Sequence, residues 1–302
     1  MISRKQAWSL LALTLMWGVN WPMMKLSLQE VTPLVFRAFT MVLGASWLFV
    51  YVARKGERMW PTGREWGSIA LLGLPNVLGW HTLSIFGVQA LASGRAAILG
   101  FTMPIFTVIL GALFFQERIT PRVRLAVVCA GAAIALLLWN EFARLSGRPT
   151  GVLWMLTAAA CWALGTLMFR RAQLSLSPLV VTVWMLLLGS VVVGALAFAF
   201  EPMPHPGQFS TPMWFSLAYG VVINYGFAQL IWFGMARSLP PATSAMSVMA
   251  IPLVGTLSAT VIVGEMPHWQ DWLAMGFVML AIASVLWPAR PATAGAAQSG
   301  HV

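Results

Sequence analysis

The chain has 302 residues, of which 59% are hydrophobic and 9% charged, with a formal net charge of +10. A soluble domain carries about 45–50% apolar and about 25% charged residues, so these proportions exclude a water-facing surface and most soluble-enzyme classes. At about 20 residues per membrane helix the chain has room for roughly ten, and its excess of Lys and Arg is first a topology signal rather than a nucleic-acid footprint.

Apolar runs of that length fall at residues 7–27, 32–52, 67–90, 93–115, 120–139, 151–171, 178–200, 213–236, 241–263 and 268–287. On the first, Trp17, Asn20, Trp21, Met24 and Lys25 recur at helical spacing on one face. Lys25 is either a gate charge at one mouth of a cavity or a cation snorkelling at a helix end. The second span carries Arg37 about five residues inside, or roughly 8 Å at about 1.5 Å per residue. A charge there is expensive and normally faces the bundle interior or water. It either pairs with Glu30 or attracts a substrate carboxylate through its planar fork.

The loop Arg54–Trp66 is rich in charge and holds Pro61 and Gly63. The third span then places Asn76, Trp80, Ser84 and Gly87 on one face, with His81 beside it. Polar groups in hydrocarbon must hydrogen-bond or meet water. His81 and Asn76 therefore serve either as interhelical glue or as substrate contacts, His81 also as a protonation site. The fourth span opens on small residues, Ser93-Gly94 and Ala96-Ala97, and Pro104 removes one helical hydrogen bond and bends it. Close packing is one reading of this pattern and a moving part is the other. Cys129, in the fifth span, and Cys161, in the sixth, lie in apolar runs and supply neither a disulfide framework nor a metal site.

On the sixth span Trp162, Gly165, Thr166, Phe169 and Arg170 repeat the face of the first, Arg170 standing as the second gate charge. The seventh has Thr182 where the second has Arg37. After a Pro-rich loop, Glu201–Pro212, the eighth carries Asn224, Tyr225, Ala228, Gln229 and Trp232. The ninth begins with Thr243-Ser244-Ala245 and Ser247 and holds Pro252. The stretch after Pro288 has almost no apolar mass, so residues 288–302 are expected to form a disordered tail.

The two halves match in register. At an offset of 145, Trp17 meets Trp162, Pro33 meets Pro178 and Gly44 meets Gly189; at 148, Asn76 meets Asn224, Pro104 meets Pro252 and Glu117 meets Glu265. Apolar composition does not align Pro, Asn, Glu and Trp by itself, so the chain is one half written twice. The first repeat is 1–139, an inter-repeat loop 140–150, the second repeat 151–287. Five spans per half is an odd number, so the second copy enters the membrane inverted, as in many secondary transporters.

Thirteen of the 18 Lys and Arg lie on the side holding both termini (Arg4, Lys5, Arg54, Lys55, Arg58, Arg64, Arg118, Arg122, Arg124, Arg170, Arg171, Arg237, Arg290). Four lie opposite (Lys25, Arg95, Arg144, Arg148). The bias puts both termini in the cytoplasm, and nucleic acid drops out as a partner. All eight acids lie in loops or at helix ends. A paired-aspartate protease is therefore excluded, and neither a metal cluster nor a phosphate-binding loop is present. An enzyme is not expected, nor a cofactor or a bound metal.

Trp17-Gly18 with Lys25, Pro33 with Arg37, and the Pro104…Glu117 and Pro252…Glu265 pairs resemble the drug/metabolite transporter superfamily, in particular its EamA-type exporters. The resemblance runs to about Trp287. Within that superfamily the chain is most similar to the YddG-type aromatic amino-acid exporters. The resemblance implies an all-α membrane protein, ten transmembrane helices forming two inverted five-helix repeats around a central cavity, in the cell inner membrane. It also implies export of aromatic and other apolar amino acids by alternating access. Other metabolites, nucleosides and cationic drugs, or a channel-like facilitator, are the alternatives. The substrate contacts expected are Trp17, Asn20, Trp21, Arg37, Asn76, Trp80, His81, Trp162, Asn224, Tyr225, Gln229 and Ser244, with Lys25, Arg170, Pro104 and Pro252 as gates. Besides the substrate, the only partner expected is the lipid bilayer, with the protein a monomer or weak homodimer.

Overall fold

A computed structural model describes residues 3–116, 119–143, 149–238 and 249–286, and among them every regular element is helical. The helices are α1 (Arg4–Ser27), α2 (Pro33–Arg54), α3 (Gly63–Ala90), α4 (Ser93–Phe115), α5 (Pro121–Ala143), α6 (Pro149–Arg171) and α7 (Pro178–Phe200). Helix α8 follows through Thr211–Ala218, Tyr219–Phe227 and Ala228–Ser238, then α9 (Ile251–Ile262) and α10 (Trp269–Leu286). Seven stretches among the described residues, within α2 to α8, are long and apolar enough to cross a membrane. Many are apolar on every side, and large side chains such as Phe198, Phe200, Val261, Val128 and Trp139 stand exposed. That is the pattern of helices whose outer surface meets lipid.

Several helix starts are fixed by local chemistry. Ser3 and Gln6 form a capping box at α1, and Thr62 and Glu65 another at α3. Pro33 and Pro178 occupy the first turns of α2 and α7, where a missing N–H costs nothing. The orphan amides of α2 are satisfied from far along the chain: Leu34 N–H donates to Glu201 Oε1 at 3.1 Å and Val35 N–H to Glu201 Oε2 at 3.0 Å.

Three expectations are corrected. The middle of α3, Leu74–Thr82, is π-helical rather than α-helical, as is Tyr219–Phe227 of α8. Spacing rules built on 3.6 residues per turn do not hold there, because each hydrogen bond skips one residue more. Pro104 does not bend a continuous α4. Instead the helix breaks at Phe101-Thr102, and Pro104 sits in the first turn of the segment Met103–Phe115, where its ring favours helix initiation. Pro252 stands likewise in the first turn of α9. Finally, α5 continues to Ala143 and α6 starts at Pro149, so 140–143 and 149–150, expected in the inter-repeat loop, are helical, and 144–148 lie outside the described residues. The tail 288–302 and Ser244 lie outside the described residues.

Two close approaches set the position of the centre. A Cβ on Gly44 of α2 would lie 2.3 Å from Tyr225 Cβ, and one on Gly189 of α7 would lie 2.4 Å from Val77 Cγ1. Both π-helical segments therefore pack directly on a glycine backbone, which any side chain there would push away.

Candidate functional site: a central aromatic cavity

The helices close around a cavity of about 350 Å³, within the range of small-molecule sites. Helix α1 lines it with Trp17, Asn20, Trp21 and Met24, α2 with Arg37, and α3 with Asn76, Trp80, His81 and Ser84. Helix α6 adds Trp162, Thr166, Phe169 and Arg170, and α8 adds Asn224, Tyr225, Gln229 and Trp232. Of the substrate contacts expected from sequence, those within the described residues all line this space. Lys25, Pro104 and Pro252 do not.

Sequence reading did not single out Val77, Phe101, Met185, Leu186 and Phe233, which also line the cavity. Phe101 stands at the α4 break, and the nearby Pro104 was the signal that could have found it. Val77 and Phe233 sit one position from lining residues that were named. Nothing in the pattern marks Met185 or Leu186.

The wall is built from packed rings. The Trp80 and Trp162 rings stand 4.5 Å apart, Trp21 meets Trp80 edge-on at 6.5 Å, and Trp17 meets Trp232 at 5.4 Å. Such contacts are worth about 0.5–1.5 kcal/mol beyond area burial. Asn76 is partly used within its own helix, its Nδ2 donating to Leu72 O at 3.0 Å.

Polar groups gather at one end. Arg37 is buried, its Nη1 3.3 Å from the Tyr225 hydroxyl and its Nη2 3.5 Å from Ser84 Oγ. The Tyr225 hydroxyl in turn stands 3.2 Å from His81 Nδ1. Just beyond, Lys25 donates from Nζ to the carbonyls of Val88 (3.0 Å), Gln89 (2.8 Å) and Leu91 (2.8 Å). Val88 and Gln89 lie in the last turn of α3 and Leu91 is its C-cap, where carbonyls lack helical partners and carry the negative end of the dipole. Nearby, Arg95 Nε donates to Asp271 Oδ1 at 2.6 Å with both side chains 6% exposed, and Ser93 N–H donates to Glu265 at 2.6 Å. The Arg95–Asp271 pair joins α4 to α10 and was invisible in the sequence, where both residues passed for loop charges.

At the other end Arg170 is exposed while lining the cavity, and Phe169, Thr182 and Trp232 around it are half-buried. By contrast Trp21, Met24, Arg37, Ser84 and Tyr225 at the Lys25 end are buried. The cavity thus opens toward Arg170. Glu30, offered by sequence as a partner for Arg37, is instead held by Ser210, whose N–H lies 2.9 Å from Oε2 and whose hydroxyl donates to Oε1.

An all-helical chain with membrane-length apolar helices around a cavity open at one end has the architecture of a membrane transporter. It belongs to the EamA-like transporter family, whose model matches residues 5–139 and 149–287. Similar proteins include the uncharacterized inner membrane transporter YedA of Escherichia coli, 26% identical over 95% of this chain and 94% of that one. The uncharacterized transporter YoaV of Bacillus subtilis is 23% identical over 81% of this chain and 84% of its own. A protein of known crystal structure shares the fold with a TM-score of 0.66 at 20% identity, over 94% of this chain and 97% of that one.

Proposed function

We propose that the protein is a secondary transporter of the inner membrane that exports aromatic and other apolar amino acids by alternating access. The observation that carries the substrate class is the wall of Trp17, Trp21, Trp80, Trp162 and Trp232 with Met24 and Met103. Flat rings and adaptable thioethers suit planar apolar groups, while Asn20, Asn224 and Gln229 offer amides to a zwitterion. Membership of a transporter family and the naming of YedA as an inner membrane transporter support the setting. The Lys and Arg bias puts the Arg170 end in the cytoplasm with both termini, so the cavity faces inward in this state.

The fold in this reading is ten spans in two inverted halves. Support comes from the family match in two segments and from nine-residue π-helices in overlapping register, Leu74–Thr82 and Tyr219–Phe227. The glycine contacts correspond too, each crossing between the halves: Gly44 of the first on Tyr225 of the second, and Gly189 of the second on Val77 of the first. Lys25 and Arg170 are repeat mates, and exchanging the halves' conformations exchanges which of them closes its mouth. The breaks before Pro104 and Pro252 are hinge candidates for that exchange.

Described carboxylates do not line the cavity, so a carboxylate proton relay has no residue there, and coupling rests on His81 or is absent. The test is flux in proteoliposomes with labelled amino acids, nucleosides and cationic drugs. Saturable movement of Phe, Tyr, Trp and Met with counter-transport is expected; flux of drugs or nucleosides alone would refute the substrate class, and non-saturable flux the carrier. His81→Ala is expected to abolish any response to a proton gradient. Strict proton-driven accumulation by that variant would leave the coupling reading without a residue.

A further inference from the structure

Arg37 is 3% exposed, yet among the described residues no carboxylate balances its charge. Its partners are neutral and long: the Tyr225 hydroxyl at 3.3 Å, Met24 Sδ at 3.3 Å and Ser84 Oγ at 3.5 Å. Its Nε is buried with no hydrogen-bond partner at all. The carboxylates that the structure describes are each engaged elsewhere. Glu30 is on Ser210, Glu57 on Ser177, Glu65 on Thr62 and Ser175, Glu201 on the α2 amides, Glu265 on Ser93, and Asp271 on Arg95. A guanidinium taken out of water is costly unless paired, and this one faces a cavity that holds room for a ligand.

We infer that Arg37 is the carboxylate anchor of the transported molecule. The planar fork takes the carboxylate in a bidentate pair, and the Tyr225 hydroxyl holds the guanidinium in place. Arg37 sits at the sealed end of the cavity and the tryptophans fill its middle. The substrate therefore lies with its carboxylate toward Lys25 and its apolar group toward Arg170. The seventh helix carries Thr182 at the corresponding place, and Arg170 at the other end stands exposed to water rather than buried, so the buried anion site lies at one end and the molecule binds in one orientation. This inference rests on the amino-acid reading for the identity of the substrate but not for its charge: the site demands an anion.

The experiment is thermal stabilisation of the purified full-length protein by four probes: L-Trp, indole-3-propionate (carboxylate, no ammonium), tryptamine (ammonium, no carboxylate) and chloride alone against gluconate. L-Trp and indole-3-propionate are expected to raise the unfolding midpoint, with tryptamine at least tenfold weaker and chloride without effect. Arg37→Gln is expected to weaken both carboxylates tenfold or more and leave tryptamine unchanged, while Arg37→Lys retains part of the response. Without ligand, Arg37→Gln is expected to be at least as stable as the parent, because an unpaired buried charge is gone; a purely structural arginine would give the opposite. Stabilisation by tryptamine equal to L-Trp, by chloride alone, or by carboxylates undiminished in Arg37→Gln would each overturn the anchor. Response to indole-3-propionate with none to amino acids would keep the anchor and refute the amino-acid reading.

Discussion

The two ends of the molecule are tied by the same kind of bond and closed by different ones. At the Lys25 end, Glu30 holds Ser210 at the start of α8; at the Arg170 end, Glu65 holds Ser175, whose N–H lies 2.9 Å from Oε1, at the turn before α7. Glu201 caps the first turn of α2, and Glu57 accepts from Ser177 Oγ at 2.5 Å before α7. These loop ties occur at both ends and hold helix starts together, and under the proposed alternating access they would do so whichever way the cavity opens. The Lys25 contacts on the α3 carbonyls and the Arg95–Asp271 pair occur, among the described residues, only where the cavity is shut. Arg170, the counterpart of Lys25, stands exposed in the open mouth. We therefore assign the symmetric ties to stability and the one-sided ones to the conformational state.

The largest test of that division is Asp271. Removing one partner of a buried pair strands the other, at a cost of about 3–5 kcal/mol. Asp271→Asn is expected to lower the unfolding midpoint sharply, and Arg95→Met with Asp271→Leu to recover most of it, as read by thermal unfolding in detergent. A closed-state lock has a second signature. Under the proposed topology, the double variant should let a thiol reagent applied from outside reach a cysteine placed at Ser84. If protection there were unchanged, the pair would belong with the structural ties.

Next in size are the rings. Trp162→Ala loses a partner at 4.5 Å from Trp80, and Trp17→Ala one at 5.4 Å from Trp232. Each is expected to lower transport of aromatic amino acids by roughly tenfold, on the scale of about 0.5–1.5 kcal/mol per ring contact plus lost area. Trp139→Ala, on a side chain 72% exposed, should change flux little. Equal losses from all three would mean that the rings act through the fold. Lys25→Met removes three hydrogen bonds from the sealed mouth and is expected to slow net export more than exchange, because it acts on closure rather than on substrate.

Much of this was legible from residue types. The aromatic face of α1 and its copy on α6 announced the cavity because Trp with Asn on α1, and Trp with Thr on α6, interrupt an apolar run at one helical interval. Arg37 was legible because a charge inside a span is rare. What resisted reading depends on partners distant in sequence or on departures from ideal helices. Arg95 and Asp271 are 176 positions apart, and no local pattern joins them. The three carbonyls under Lys25 carry no side-chain signature. The π-helical turns of α3 and α8 leave hydrophobic periodicity too little altered to be seen in nine residues, and the break in α4 reads as a proline bend until its first turn is placed.

The smallest expected effect concerns a tie assigned to stability. The Ser210 hydroxyl, and after it the Ser210 N–H, hold the Glu30 carboxyl below its ordinary value of 4.5. A carboxylate whose value is lowered by folding stabilises the folded state at pH above that ordinary value and ceases to do so as pH falls through the lowered one. Stability should therefore decline slightly below about pH 4.5, and Ser210→Ala should flatten that part of the profile while lowering the neutral plateau only a little. Because the group is fully exposed, solvent screens the interaction and the change is a small one. The informative part is where it shows. A tie common to both states shifts unfolding without shifting the inward–outward balance, so transport by Ser210→Ala at neutral pH should match the parent. A change in accessibility of the Lys25 mouth in this variant would move Glu30 and Ser210 from the permanent ties to the gate.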